Sequence, residues 1–182
     1  SKSKGNVVSP DEIIEKYGVD AERLFILFIG PPDSDAEWTD RGIEGMSRYV
    51  NRVYRLVNKY IEISKINNSN YKELNEDDKN LKIKLHETLK RVTESIENNF
   101  RFNTAIASLM ELTNYIQDYF NENEKPNIKV LREVFENFII ILSPFAPFLS
   151  EELWEMIGNK ASVQFNNWPN YDENLIKREK IE

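Results

Sequence analysis

Apolar residues recur along this chain at three- and four-residue steps, the period of a helix with one buried face. From Asp40 to about Lys65, the row Ile43, Met46, Val50, Val53, Val57 and Ile61 predicts one long helix. Asn67 to Asn80 is polar and reads as a connection. A second stripe follows in Leu81, Leu85, Leu89, Val92 and Ile96, and a third in Phe102, Ala105, Leu109, Leu112, Ile116 and Tyr119. Asn121 to Pro126 is a linker, and Leu131, Val134, Phe138 and Ile141 mark a fourth helix. Pro144 and Pro147 break it before a short fifth around Phe148 to Ile157, and Val163 to Phe165 reads as a brief strand. Connections this short favour antiparallel neighbours, so the expected fold is an all-α helix bundle.

Ahead of the bundle the punctuation is denser. Ser9 is a good N-cap, Pro10 suits a first helical position, and Glu12 completes a capping box. Gly18 ends that helix. Asp20 is placed to cap a second, through Leu24, Phe25, Leu27 and Phe28, closed by Gly30 and Pro31-Pro32. Asp33 to Trp38 is an acidic loop. Residues 1–38 therefore read as a small connecting module whose apolar surface needs a cover, and 39–182 as the bundle.

Composition narrows the chemistry. A hydrophobic content of 40% with 12% aromatic residues supports a real core in 182 residues. With no cysteine, disulfides, thiol catalysis and cysteine zinc sites are excluded. The single histidine, His86, leaves too little imidazole for a histidine metal site and reads as a surface residue. The acids Asp33, Asp35 and Glu37 have metal-like spacing but nothing to complete a cage, so no metal site is expected. The longest apolar runs, Leu24–Ile29 and Phe138–Leu142, fall far short of the roughly 20 residues of a membrane helix. That composition fits a cytoplasmic protein without a membrane partner.

Two aromatic stretches suggest recognition but fit packing better. Phe102 is in phase with the third core stripe, and Trp154 reads as a core anchor. Trp38 is open between local packing and docking elsewhere.

The net charge of −7 argues against a generic nucleic-acid coat. Counterion release depends on local charge, however, and one helix stands apart. Arg41, Arg48, Arg52, Arg55 and Lys59 follow one another at steps of seven, four, three and four. At 100° per residue they fall in an arc of roughly 60°, nearly opposite the apolar face. From Asp40 to Lys65 there are six basic residues against three acidic ones, Asp40, Glu44 and Glu62. A row of guanidinium groups can follow a phosphate backbone; the plainer reading is a solvated face paired with nearby acids.

The chain opens on Ser1-Lys2-Ser3-Lys4-Gly5-Asn6. Small hydroxyls, ammonium groups and a glycine suit close approach to phosphate oxygens. This stretch resembles the Lys-Met-Ser-Lys-Ser loop of class I aminoacyl-tRNA synthetases without its leading Lys-Met, as if the chain started inside that loop. Tyr17-Gly18-Val19-Asp20 and Arg23-Leu24-Phe25 resemble the members specific for branched aliphatic amino acids. Pro31-Pro32-Asp33, Glu37-Trp38, Gly42, Glu44-Gly45, Arg48, Arg52 and Arg55 are similar to the leucyl-tRNA synthetase family. Phe102-Asn103-Thr104-Ala105-Ile106-Ala107, Pro144-Phe145-Ala146-Pro147, Glu151-Glu152-Leu153-Trp154 and Trp168-Pro169 resemble its helical bundle, although the family often has His where Phe148 stands.

The resemblance implies a fragment of a ligase that joins leucine to its tRNA through a leucyl-adenylate, using ATP and Mg2+. Ser1, Lys2, Ser3 and Lys4 would contact ATP, with Lys2 on the leaving pyrophosphate as the catalytic residue. Residues 1–38 would be a stem-contact linker and 39–182 an anticodon-binding-type bundle. Through Arg41, Arg48, Arg52, Arg55 and Lys59 the bundle would hold the body of tRNA(Leu) by its backbone. The remaining partners would be the catalytic, editing and C-terminal domains of a monomeric synthetase, and the isolated chain would be inactive. The alternatives are the same region of a valyl- or isoleucyl-type enzyme, or a free-standing helical adaptor for an acidic partner.

Overall fold

The computed structural model describes residues 9–30, 39–66, 73–98 and 100–178. Two short helices, α1 (Pro10–Tyr17) and α2 (Val19–Phe28), precede the long α3 (Asp40–Ile66). Then come α4 (Glu76–Glu97), α5 (Phe102–Glu122), α6 (Ile128–Leu142) and α7 (Pro147–Met156). A 3-10 turn (Val163–Phe165) and α8 (Glu173–Arg178) follow, and no strand occurs among the described residues. The all-α bundle is as the periodicity predicts.

The four main stripes face one core. Leu81, Leu85, Leu89 and Val92 of α4 meet Ala105, Leu109, Leu112 and Ile116 of α5, and Leu131, Val134, Phe138 and Ile141 of α6 join them. Trp154 is buried, and Phe102 lies half-buried with its ring edge-on to Phe145 at 6.1 Å. On α3 the buried arc is wider than the aliphatic row suggests, because Tyr49, Leu56 and Tyr60 are buried beside it.

Several local expectations are corrected. Ser9 makes no side-chain cap bond, so the expected capping box with Glu12 is absent and Pro10 alone sets the start of α1. Helix α4 begins at Glu76, inside the supposed connection, because Asn75 and Asp78 form a reciprocal capping box. Val163–Phe165 is a turn and not a strand. The Ser162 side chain accepts from the Gln164 amide, and Glu151 takes the Ser162 hydroxyl and the Val163 N–H (3.2 Å), which curls the backbone inward. His86 is half-buried and not a plain surface residue. Its Nδ1 accepts the Asp172 N–H at 3.0 Å and ties the C-terminal segment to α4, and burial lowers its pKa.

Asp20 is the most instructive correction. It lies inside α2, which Gly18 precedes with φ 85°, and it is only 6% exposed. Its Oδ2 accepts the Leu149 N–H of α7 at 2.6 Å, so it caps a helix 129 residues away instead of its own.

Contact between α2 and α3 is equally close. A Cβ built on Gly42 would stand 2.2 Å from Cε2 of the buried Phe25 ring. Glycine to alanine within a helix normally gains about 1 kcal/mol, whereas overpacking a filled site costs about 1–3 kcal/mol. Gly42→Ala is therefore expected to be net destabilising by about 1 kcal/mol in urea unfolding. A variant more stable than the parent would show that Phe25 moves aside freely.

Candidate nucleic-acid interface

Helix α3 carries the basic row, and its residues are not equivalent. Arg41 and Arg55 are exposed. Arg48 lies 3.9 Å from Glu44 one turn earlier, with the two side chains 74% and 49% exposed. A pair that open contributes little and leaves the guanidinium free to exchange partners. Arg52 is half-buried, its guanidinium 5.8 Å from the centre of the Tyr49 ring, and its Nε is buried without a hydrogen-bond partner among the described residues. The Lys59 ammonium sits 4.9 Å over the Phe120 ring.

The row is thus one continuous feature of one helix, but not opposite the core as its spacing suggests. Tyr49, Leu56 and Tyr60 extend the buried arc toward it, and Leu56 follows Arg52 by one turn, about 40° around the axis. Arg52 and Lys59 therefore rest on aromatic rings at the border of the core, while Arg41, Arg48 and Arg55 reach outward. Flanking aromatic faces restrict the two inner cations and favour their charge. A cleft of about 510 Å³ adjoins Lys59, lined by Ile63, Ile66, Phe120, Asn123 and Lys125 among others.

The most firmly held arginine is one the sequence did not single out. Arg132 donates to Glu136 (2.5 Å), to the Ile157 carbonyl at the end of α7 (2.5 Å) and to Asn159 Oδ1 (3.2 Å). Satisfied on three sides, it braces the fold and offers nothing to a ligand. Only the long-range partners distinguish it from the arginines of α3, and no local pattern announces them.

Ser1, Lys2, Ser3 and Lys4 lie outside the described residues, as do Asp33, Asp35, Glu37 and Trp38. Among the described residues no group of three or more His, Cys, Asp or Glu is arranged to hold a metal, and no helix is long and apolar enough to cross a membrane.

Residues 78–182, more than half of the chain, match the family described as the anticodon-binding domain of tRNA ligase. The chain belongs to this family. Residues 1–39 match the class I tRNA synthetases of the I, L, M and V group. Among curated relatives, the leucine–tRNA ligase of Fervidobacterium nodosum is 46% identical over 182 residues and that of Thermosipho melanesiensis 48% over 184. Both alignments take in all of this chain and 22% of the relative, so the chain spans about a fifth of the length of these ligases. A crystal structure described as the ternary complex of Agrobacterium radiobacter K84 agnB2 LeuRS, tRNA and LeuAMS superposes with a TM-score of 0.83. It shares 32% sequence identity over 97% of this chain and 22% of that one. Helix α3, with its basic row, falls between the two family matches but inside every one of these full-length alignments.

Proposed function

We propose that this chain is the tRNA-positioning part of a leucine–tRNA ligase and that Ser1 to Lys4 contribute to contacting ATP. The observation that carries the reading is the alignment of the whole chain with leucine–tRNA ligases at 46–48% identity. The parent reaction is attack of the leucine carboxylate on the α-phosphate of ATP, with pyrophosphate leaving, and then transfer of the leucyl group from the adenylate to a hydroxyl of tRNA(Leu), with AMP leaving. Ser1, Lys2, Ser3 and Lys4 contact the nucleotide in this reading. Lys2 is the catalytic member, because a cation preplaced on the pyrophosphate oxygens acts where negative charge grows in the transition state. Mg2+ supplies further neutralisation of the phosphates when bound and is assigned to the nucleotide and the rest of the synthetase. Residues 1–38 form the linker and 39–182 the bundle of a monomeric, cytoplasmic enzyme.

The bundle's own contribution is the α3 row, Arg41, Arg48, Arg52, Arg55 and Lys59, laid along the sugar-phosphate backbone of tRNA. Arginine suits this because its planar fork takes two phosphate oxygens at once. Arg48→Ala and Arg52→Ala in the full ligase should each weaken tRNA binding while leaving tRNA-independent pyrophosphate exchange intact. Each lost phosphate contact should flatten the log–log salt dependence by about 0.7–0.9. Glu44→Ala is the control: it frees Arg48 from its ion pair and should not weaken binding. Unchanged affinity and slope in both arginine variants would return the row to a solvated helix face.

A further inference from the structure

We infer that the segment from Trp168 to Arg178 is a strap that opens and closes on α4, and that His86 is the acid-sensitive latch that holds it shut. Its ties run to one face of that helix. Trp168 Nε1 donates to Thr93 Oγ1 at 2.8 Å, the Asp172 N–H donates to His86 Nδ1 at 3.0 Å, and Glu173 pairs with Lys90 at 3.1 Å. The Lys90 ammonium also stands 5.8 Å from the centre of the Tyr171 ring, which packs half-buried against the edge of the core. His86, Lys90 and Thr93 follow one another at steps of four and three, so the three anchor points share an arc of about 60° on α4.

The strap is lightly held apart from these points. Trp168, Asp172 and Glu173 are exposed, and Leu175 and Ile176 are only half-buried. The residues that join α4 to the core, Leu81, Leu85, Leu89 and Val92, are fully buried and lie in the stripe that meets α5 and α6. A segment with few buried apolar contacts opens at a fraction of the free energy of global unfolding. The strap can therefore leave α4 while the bundle stays folded.

The His86 bond makes that opening depend on acid. An imidazole nitrogen accepts an amide N–H only while it carries no proton, so the doubly protonated ring cannot hold the Asp172 amide. The ionisable groups that face the ring come from three elements: Lys82 of α4, Glu133 of α6 and Asp172 of the strap. Glu133 is paired with Lys82 at 2.9 Å and Asp172 Oδ1 accepts the Asn174 N–H at 2.8 Å, so both carboxylates are already engaged. Burial lowers the His86 pKa from 6.5, against the pull of Glu133 and with the help of Lys82. The open strap thus leaves His86 the better base. Closure is fully favoured above 6.5 and weakens as pH falls from there through the lowered value. Glu173, whose pKa its bond to Lys90 lowers from 4.5, keeps its charge and its ion pair while His86 titrates.

The test is amide hydrogen exchange of the chain, with each rate expressed as protection relative to an unstructured peptide at the same pH. Between about pH 7.5 and about pH 5.5 the strap amides of Asp172, Asn174 and Ile176 should lose up to about tenfold in protection. Those of Leu85, Leu89 and Leu109 in the core helices should keep theirs, which shows the bundle folded throughout. His86→Gln offers an amide oxygen to the Asp172 N–H and does not titrate, so its strap protection should not change with pH. His86→Ala should be less protected than the parent at about pH 7.5 and lose nothing further on acidification. Strap protection in the parent that is flat with pH, or that falls equally in His86→Gln, overturns the inference. So does a His86→Ala strap as well protected as the parent's at the higher pH.

Discussion

Asp78→Ala is expected to destabilise the chain by about 3–5 kcal/mol, a large part of the 5–15 kcal/mol typical of a domain. Asp78 is 3% exposed and caps α4 through its own amide and that of Asn75. Its carboxylate accepts the Tyr119 hydroxyl at 2.5 Å, the Asn127 side-chain amide at 3.1 Å and the Asn75 N–H at 3.2 Å. Tyr119 in turn accepts the Asn127 N–H at 2.9 Å, and Asn127 Oδ1 caps α6 through the Lys129 and Val130 amides. One carboxylate thus ties the start of α4, the end of α5 and the start of α6. Truncation strands several buried donors at once, each costing about 1–3 kcal/mol, and the losses are not independent. Asp78→Asn should recover only part, because one amide oxygen must serve donors that two carboxylate oxygens share. Urea unfolding of the three chains checks this. A loss below about 1 kcal/mol for the alanine variant would mean that water replaces the carboxylate.

That network marks where sequence reasoning stops. The apolar stripes were legible because a 3.6-residue period needs no knowledge of partners: Leu81, Leu85 and Leu89 are buried whatever lies opposite them. Tyr49 and Tyr60 were not, since tyrosine is at home on either side of a surface and only the neighbouring helices settle it: Tyr49 is bonded to Thr113 of α5 at 3.2 Å, and the Tyr60 ring lies 5.2 Å from that of Phe135 in α6. Asp78 sits in a polar stretch that reads as a connection, and its partners Tyr119 and Asn127 are 41 and 49 residues away. Asp20 followed a helix-breaking glycine and looked like a local cap; its partner is in α7. The basic row was legible in spacing but not in depth, because depth depends on Leu56 and Tyr60 being buried.

Asp20→Ala is expected to cost about 2–3 kcal/mol, and Asp20→Asn to be tolerated or stabilising at neutral pH. Helix α7 starts at Pro147, and its N-cap, Ala146, has no side chain to bond the first-turn amides. Asp20 Oδ2 supplies that acceptor from α2, so alanine leaves the Leu149 amide buried and unbonded. The other oxygen, Oδ1, is buried and makes no close hydrogen bond among the described residues, which fits a site that tolerates the charge poorly. Burial raises the Asp20 pKa above its usual 3.8, against the opposing pull of the Leu149 and Phe148 amides and Arg23. The folded chain therefore holds this proton more tightly than the unfolded one, and stability attributable to Asp20 falls as pH rises through that window. It is fully present below the unfolded value of 3.8 and lost as pH climbs through the raised folded value. The asparagine variant keeps an oxygen for Leu149 without a charge to desolvate. The stability difference between Asp20→Asn and the parent should accordingly grow in favour of asparagine from pH 3.8 upward and then level off, the other carboxylates cancelling between the two chains. Urea unfolding across that range decides it. A difference that is flat with pH, or that grows in favour of the parent, would show that the α7 amides stabilise the carboxylate more than burial penalises it.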